Sequence, residues 1–239
     1  MYKEFKFDFG LVTVKDRETL GETVRSLYVD DGFESACFTA PGKRNELLFE
    51  YMHIFADIAC AAHGIKNTLL MGGGGFSFPK YYISRFPDKS LDVLELHGEI
   101  YDIAKKYFFL DELYKEYDLD RTGRLNVIIG DAYGHLKTCG KKYGLILNDT
   151  YNGREAADGM YLKKTIPDVV NCLESGGVYA VNVFCKGDLP QKKALHMQKA
   201  LEEQFESVKL ILRGKAPGTD TLRNGVIMAK DPLIYKKKL

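Results

Sequence analysis

The feature that most constrains this chain is a run of four glycines directly after a short apolar segment. Residues 68–71 are β-prone and mostly apolar, and Gly72, Gly73, Gly74 and Gly75 follow at once. Glycine has no Cβ atom, so it lets a backbone turn sharply and approach a ligand closely. In an open parallel sheet, ligands bind beyond the carboxyl ends of the strands. The run therefore predicts a ligand-binding turn, with a plain flexible loop as the alternative.

The chain after this run alternates β-prone and helical segments. We predict strands at 68–71, 91–96, 125–129, 145–147, 178–184, 208–212 and 225–229, and helices at 100–109, 161–174 and 191–205. Such alternation implies a parallel sheet covered by helices on both faces. About a dozen residues separate the last two strands, too few for a helical crossover, so these two should be antiparallel. The predicted fold is α/β: a Rossmann-like, seven-stranded, mostly parallel sheet with an antiparallel last hairpin, as in methyltransferases.

The first forty residues have a different pattern. Short β-prone stretches at 6–9, 11–14, 24–29 and 33–38 indicate hairpins, with a tight-turn signal at 30–32. A helix is predicted over 46–62. We therefore expect an N-terminal β-hairpin region at 1–43 and a Rossmann-like catalytic domain at 44–239. The hairpin edges could pair across a homodimer.

Composition excludes several classes of protein. The formal net charge is +1, which provides no general attraction to nucleic acid or membrane. No apolar run reaches the roughly 20 residues of a membrane span, and the N-terminus lacks a signal-peptide core. The five cysteines are scattered, which favours reduced thiols in the cytoplasm and no metal site. The expected partners are small molecules.

Acidic residues stand at the ends of the next three predicted strands. Glu95 lies about 20 residues after the glycines, where a carboxylate can accept from both ribose hydroxyls; a surface acid is the alternative. Asp131 and Ala132 could meet an adenine edge, or Asp131 could cap a helix. Asp149 could act as a general base, or could belong to a turn. Together these positions predict one nucleoside cleft.

The pieces, in this order and spacing, resemble the spermidine synthase family of the S-adenosylmethionine-dependent transferases. The resemblance covers about residues 24–183. It is carried by LYVDDG at 27–32, LMGGG at 70–74, LEL at 94–96, VIIGDA at 127–132, LND at 147–149 and LESGGV at 173–178.

The resemblance implies a role for each matched residue. Gly72 to Gly74 would line the amino-acid end of S-adenosylmethionine or its decarboxylated form, and Gly75 would complete the cofactor-binding turn. Glu95 would hold the ribose, Leu96 beside it would belong to the same cofactor site, and Asp131 with Ala132 would hold the adenine. Asp149 would be the catalytic aspartate that takes a proton from an amine acceptor. Tyr151 and Asn152, beside it, would contact that acceptor.

Two positions depart from the family pattern. Gly75 stands where the family has an aspartate for the aminopropyl amine, and Asn152 stands where it has a second acid. The family's tyrosine-histidine-glutamate element is replaced by residues 48–51. Losing two charged hydrogen bonds would weaken polyamine binding by about two to four powers of ten.

Three functions follow from the resemblance and its departures. The first is an aminopropyltransferase-like enzyme that uses S-adenosylmethionine, its decarboxylated form or methylthioadenosine as nucleoside. The second is a methyltransferase, because Gly75 should tolerate a ligand carboxylate better than an acid would. The third is a non-catalytic nucleoside-binding module.

Overall fold

The computed structural model describes residues 1–19, 21–152, 155–156, 163–185, 188–213 and 224–238. The N-terminal part is an antiparallel meander with strand order β1-β2-β3-β4. Its strands are β1 (Tyr2–Phe7), β2 (Gly10–Thr19), β3 (Glu22–Val29) and β4 (Gly32–Phe38). The hairpins are therefore confirmed, but the first turn lies at residues 8–9, inside the predicted first strand. Phe9 packs on the His97 ring although it lies in the turn. The spacing of apolar residues alone does not distinguish such a turn residue from a residue of the strand.

The remainder forms a seven-stranded sheet and its helices. The helices are α1 (Glu50–Ala61), α2 (Ser77–Arg85), α3 (Gly98–Tyr107), α4 (Leu110–Glu116), α5 (Leu119–Thr122), α6 (Ala132–Thr138), α7 (Ile166–Cys172) and α8 (Asp188–Glu202). The strands of this sheet are β5 (Asn67–Met71), β6 (Ser90–Glu95), β7 (Leu125–Ile129), β8 (Tyr143–Asn148), β11 (Leu173–Phe184), β12 (Phe205–Ile211) and β13 (Asn224–Pro232). A two-stranded ribbon, β9 (Tyr151–Asn152) and β10 (Glu155–Ala156), follows β8.

The order of the large sheet is β12-β13-β11-β8-β5-β6-β7. Strands β7, β6, β5, β8 and β11 are parallel, and β13 pairs antiparallel with both β11 and β12. This confirms the mostly parallel sheet with an antiparallel closing hairpin. The helix predicted up to residue 174 ends at Cys172, and β11 begins at once, with a pairing irregularity before Val178. Residues 161–162 of that helix lie outside the described residues.

The connection order creates a crevice in the middle of the sheet. The chain leaves β5 toward β6 and β7, then returns to place β8 on the other side of β5. Met71 and Asn148, the last residues of β5 and β8, are paired neighbours. The loops after these strands diverge to opposite sides, and ligands bind at such switch points. The glycine run and Asp149 both follow this position.

Apolar clusters cover both faces of the sheet. Helices α1, α2 and α4 contribute to one cluster, and α6, α7 and α8 to the other. A third cluster joins the N-terminal meander to α3 through Val12, Val14 and Leu27 against Ile100 and Ile103. The Phe9 and His97 rings stack 3.7 Å apart at this junction. The meander thus lies against the start of α3, next to Glu95. The domain boundary at residue 43 remains a prediction.

Two further expectations concern membranes and metals. No helix in the described ranges is long and apolar enough to cross a bilayer. Among the described side chains, no three His, Cys, Asp or Glu residues are arranged to hold a metal ion. The cysteines at 37, 60, 139, 172 and 185 are free thiols.

Candidate active site

The glycine turn packs directly against the loop that carries Asp149. Gly72 has φ +95°, a conformation that L side chains rarely adopt. A Cβ atom placed on Gly72 would lie 2.5 Å from the Asp149 carbonyl oxygen. The next glycine, Gly73, faces the Phe76 ring, 2.7 Å from a built Cβ. Glycine is therefore required here by close packing as well as by backbone angle.

Glu95 is buried under this turn, with 6% of its surface exposed. Its Oε2 accepts hydrogen bonds from the backbone N–H groups of Gly73 and Gly74, both at 3.0 Å. Its Oε1 accepts from the His97 N–H at 3.0 Å. A carboxylate has about four acceptor positions, so these bonds leave about one for a ribose hydroxyl. Glu95 thereby ties the loops after β5 and β6 together at the site.

The rim beside Glu95 is apolar and open. Leu96 and Ile129, which follow or end neighbouring strands, are 58% and 48% exposed. Exposed apolar side chains at this position offer a surface on which a flat aromatic base can lie. Asp131 is exposed, and its Oδ2 accepts from the Gly134 N–H at 2.6 Å, which caps α6. The capping alternative therefore holds for the Asp131 side chain. Adenine recognition by Asp131 and the buried Ala132 remains a prediction.

Asp149 is held in place from three directions. Its backbone N–H donates to the Met71 carbonyl oxygen at 2.8 Å. Its Oδ2 accepts from the Tyr51 hydroxyl, and its Oδ1 accepts from the Asn182 amide, both at 2.8 Å. Burial raises the pKa of Asp149 from 3.8 to about 6, and the bonds from Asn182 and Tyr51 partly oppose this rise. A carboxylate with this pKa is ionised at neutral pH and is still a competent proton acceptor.

Sequence reasoning did not identify Tyr51 and Asn182. Burial and the charge of Asp149 raise the pKa of Tyr51 well above 10, so its phenol stays protonated and donates. Tyr51 belongs to α1, 98 residues before Asp149, and lies in the segment noted only as a departure from the family. Asn182 was detectable in principle, since it is a polar residue among the apolar residues of the predicted strand at 178–184, and the structure buries it with 2% of its surface exposed.

Gly75 faces the N-terminal meander. A Cβ atom built on Gly75 would lie 2.8 Å from the Ser35 Oγ and 3.0 Å from the Phe108 ring. A carboxylate side chain at this position would therefore displace one of these groups. Ser35 and Phe108 close the end of the glycine turn where the family pattern has an acid.

The residues after Asp149 are described in part. The Tyr151 hydroxyl donates to the Asn182 carbonyl oxygen at 2.9 Å, and its ring lies 4.8 Å from that of Phe184. Asn152 pairs with Glu155 in the β9–β10 ribbon, but its side chain lies outside what the structure describes. The predicted acceptor contacts of Tyr151 and Asn152 remain predictions.

The structure brings three of the predicted site elements together and places Asp131 apart from them; convergence of the full set on one cleft remains a prediction. The glycine turn bonds to Glu95 and packs on Asp149, so these three elements are in direct contact. Asp131 stands at the outer rim, and its hydrogen bonds among the described residues lie within its own helix turn.

Curated relatives match this chain at low identity. The polyamine aminopropyltransferase of Vibrio vulnificus is 27% identical over 127 residues, which are 52% of this chain and 40% of that protein. That of Methanocaldococcus jannaschii is 25% identical over 179 residues, 74% of this chain and 55% of that protein. The chain therefore spans about half the length of the curated relatives it matches.

Solved structures show the same fold. A probable spermidine synthase from Corynebacterium glutamicum superposes with a TM-score of 0.78 and 18% identity, covering 96% of this chain and 80% of that one. The spermidine synthase of Thermotoga maritima gives 0.73 at 14% identity, covering 95% and 72%. Human Methyltransferase-like protein 13 gives 0.57 at 19% identity, covering 74% and 81%. A family model, the spermine/spermidine synthase domain, matches residues 48–212. That span holds the glycine turn, Glu95, Asp149 and both of its hydrogen-bond donors, and the chain belongs to the spermine/spermidine synthase domain family.

Proposed function

We propose that this chain is a transferase that takes an S-adenosylmethionine-type sulfonium nucleoside as donor and a small amine as acceptor, with Asp149 as the general base. The observation that carries the proposal is the position of Asp149. Its carboxylate is held by Tyr51 and Asn182 at the switch point, and its backbone carbonyl packs against the glycine turn that bonds to Glu95.

The proposed reaction needs a base because an ammonium ion has no free electron pair. Asp149 accepts a proton from the acceptor nitrogen, which then forms a bond to the carbon next to the sulfonium. The carbon–sulfur bond breaks, its electrons neutralise the sulfur, and a neutral thioether nucleoside leaves. Tyr51 and Asn182 hold the carboxylate oxygens toward the acceptor during this transfer, and their bonds stabilise its charged form.

Glu95 and the rim supply the nucleoside site. The remaining acceptor position of Glu95 suits a ribose hydroxyl, and Leu96 with Ile129 suits the base. Two structural neighbours support this ligand class: a spermidine synthase was solved with the transition-state analogue AdoDATO, and the human methyltransferase-like protein with SAH. Decarboxylated S-adenosylmethionine is the proposed donor, with methylthioadenosine as the nucleoside product.

Methyl transfer from S-adenosylmethionine is the second candidate. Ser35 and Phe108, rather than a carboxylate, close the end of the glycine turn at Gly75. A donor that keeps its carboxylate meets a glycine rather than an aspartate at position 75, so its binding there costs less than it would beside an aspartate.

A cytoplasmic location and a homodimer remain predictions from the sequence.

Calorimetry with methylthioadenosine, S-adenosylmethionine and its decarboxylated form tests the nucleoside site. We expect at least one of them to bind, and Glu95→Gln to weaken it. Binding by none of the three would contradict the proposal. Incubation of the labelled donors with putrescine and mass analysis of the product then distinguishes aminopropyl from methyl transfer.

Asp149→Asn tests the base. We expect turnover to fall by about 10²–10⁴-fold, the usual contribution of a general base, with nucleoside affinity within about twofold of wild type. Unchanged turnover in this variant would reject Asp149 as the base. A non-catalytic module instead predicts no turnover in either protein.

A further inference from the structure

Asn148, the last residue of β8, is completely buried directly before Asp149. Its side-chain amide makes four hydrogen bonds. The Nδ2 group donates to the hydroxyls of Tyr133 at 3.0 Å and Tyr179 at 2.8 Å. The Oδ1 atom accepts from the Thr150 N–H at 3.1 Å and the Thr150 hydroxyl at 2.8 Å. These bonds use the whole capacity of the amide, two donors and two acceptor positions.

The bonds to Thr150 span Asp149. A side-chain oxygen that accepts from the N–H two residues later forms an Asx turn, which fixes the backbone of the residue between them. That residue is Asp149, whose own N–H is bonded to Met71. The direction in which the Asp149 side chain leaves the backbone is therefore set by a buried amide that does not itself touch the carboxylate.

The amide is held by two separate parts of the fold. Tyr179 lies on β11 and is buried, while Tyr133 lies in the first turn of α6, directly after Ala132. The Tyr133 hydroxyl also lies 3.1 Å from the Thr150 hydroxyl, so it contacts both sides of the turn. This network connects the nucleobase end of the cleft, where α6 begins, with the loop that carries Asp149.

We infer that Asn148 is a positioning residue for Asp149: its Asx turn aims the carboxylate at the Tyr51 hydroxyl and the Asn182 amide, and Tyr133 connects this arrangement to the nucleobase end. A buried amide requires every hydrogen bond to be made, since an unsatisfied one is costly. It therefore permits one arrangement where an apolar side chain would permit several. The inference rests on the proposed role of Asp149 as base.

The test is a pH titration of the Asp149 carboxyl group, monitored by carbon-13 NMR in wild type and in Asn148→Ala. The backbone of Asp149 stays bonded to Met71, so the carboxyl remains in the cleft while its aim toward Tyr51 and Asn182 is lost. Donors to a carboxylate lower its pKa, so we expect the midpoint to rise by about one unit above the wild-type value. Tyr179→Phe is the matched control. It removes one bond to the same buried amide but keeps both bonds from Asn148 to Thr150, so its midpoint should rise less than that of Asn148→Ala.

Asn148→Ser supplies a rescue and a second route if the alanine variant fails to fold. A serine hydroxyl can accept from the Thr150 N–H in the shorter, weaker turn, so we expect a smaller rise than with alanine. The inference is overturned if a folded Asn148→Ala protein titrates with the wild-type midpoint, if Asn148→Ser does so when the alanine variant does not fold, or if Tyr179→Phe shifts the midpoint as far as alanine does.

Binding of methylthioadenosine, measured by calorimetry on the same proteins, separates this inference from the proposed function. We expect its affinity to change less than about twofold in Tyr179→Phe. Failure of the wild-type chain to bind any of the three nucleosides would reject the proposed function. The NMR titration needs neither a nucleoside nor turnover, so it decides the role of Asn148 in either case.

Discussion

The two ends of the cleft are built in different ways. At one end, Asp149 bonds to Tyr51 and Asn182, which are 98 and 33 residues away, and its backbone bonds to Met71. At the other end, Asp131 bonds to Gly134, three residues away, and is exposed. Long-range bonds hold the first acid in a partly desolvated place where ionisation costs energy. A local bond gives the second acid a capping role that any isolated helix could provide.

This difference teaches that an acid at the end of a strand is not by itself evidence of catalysis. Burial makes the charged form of Asp149 energetically unfavourable, and such a group at this position is a candidate for proton transfer. The charge of Asp131 is satisfied by the helix N-terminus. Substitutions of the two acids should therefore change the free energy of unfolding in opposite directions as well as by different amounts.

The largest effect should come from Gly72→Ala, which breaks the packed end. The new Cβ would lie 2.5 Å from the Asp149 carbonyl oxygen, and φ is +95°. Positive φ costs about 1–2 kcal/mol for alanine and overpacking adds about 1–3 kcal/mol, so we expect a loss of about 3 kcal/mol. Urea denaturation measures it. Gly140→Ala, where no atom lies within 4 Å of the built Cβ, should change stability little. A typical single substitution changes the free energy of unfolding by about 1 kcal/mol. A Gly72→Ala protein whose free energy of unfolding lies within that amount of the wild-type value would refute the close packing.

The next effect is a gain of stability in Asp149→Asn. The pKa of Asp149 is higher in the folded state, about 6 against 3.8, so protonation favours folding. Below pH 3.8 the carboxyl is protonated in both states and costs nothing. The cost grows as pH rises from 3.8 to about 6 and is complete above that. Each pKa unit corresponds to about 1.4 kcal/mol, and an asparagine loses part of this because it cannot keep both hydrogen bonds. We therefore expect Asp149→Asn to raise the free energy of unfolding by about 2 kcal/mol at pH 7.

Thermal and urea unfolding at pH 4 and pH 7 measure this gain, which should be smaller at pH 4. Asp131→Asn is the matched variant at the open end. Aspartate and asparagine cap helices about equally well, so its stability should change by less than about 0.5 kcal/mol at either pH. A loss of stability in Asp149→Asn at pH 7 would mean that the carboxylate is not desolvated.

A smaller effect should follow from Asp131→Ala, which removes the cap of α6. Loss of an aspartate N-cap costs about 1 kcal/mol. The midpoint of the Asp149 titration should stay unchanged, because Asp131 has no bond to that end among the described contacts. Urea denaturation and the NMR titration measure the two quantities. A moved Asp149 midpoint would show that the ends are coupled through Asp131, contrary to the comparison.

The smallest effect should be that of Tyr51→Phe on the Asp149 titration. The phenylalanine keeps the ring contacts but removes one donor to Oδ2, while Asn182 still holds Oδ1. We expect the midpoint, about 6 in wild type, to rise by about half a unit, or about 0.7 kcal/mol. The lower limb of the pH–rate profile should move with it. Tyr101→Phe removes a hydroxyl whose hydrogen bond, among the described residues, is to Tyr114, and it should leave both quantities unchanged. A fall in the midpoint would contradict the hydrogen bond.

The sequence alone determined the sheet and the strand ends of the site. Strand–helix alternation predicts a parallel sheet because the helix carries the chain back to the end of the sheet at which the previous strand began. The glycines after β5 could be interpreted from the sequence because glycine is the residue that readily adopts φ +95° beside another backbone segment. Glu95 ends β6 and Asp149 follows β8, and both were found because the carboxyl ends of parallel strands reach the same edge of the sheet.

Only the tertiary structure decided what those acids touch. The first hairpin turn at residues 8–9 and the partners Tyr51, Asn182 and Asn148 could not be read from periodicity. Hydrogen bonds between residues 33 to 98 positions apart depend on which elements become neighbours. Desolvation decides the pKa of Asp149, and it depends on how all of these elements pack together, which no local pattern records.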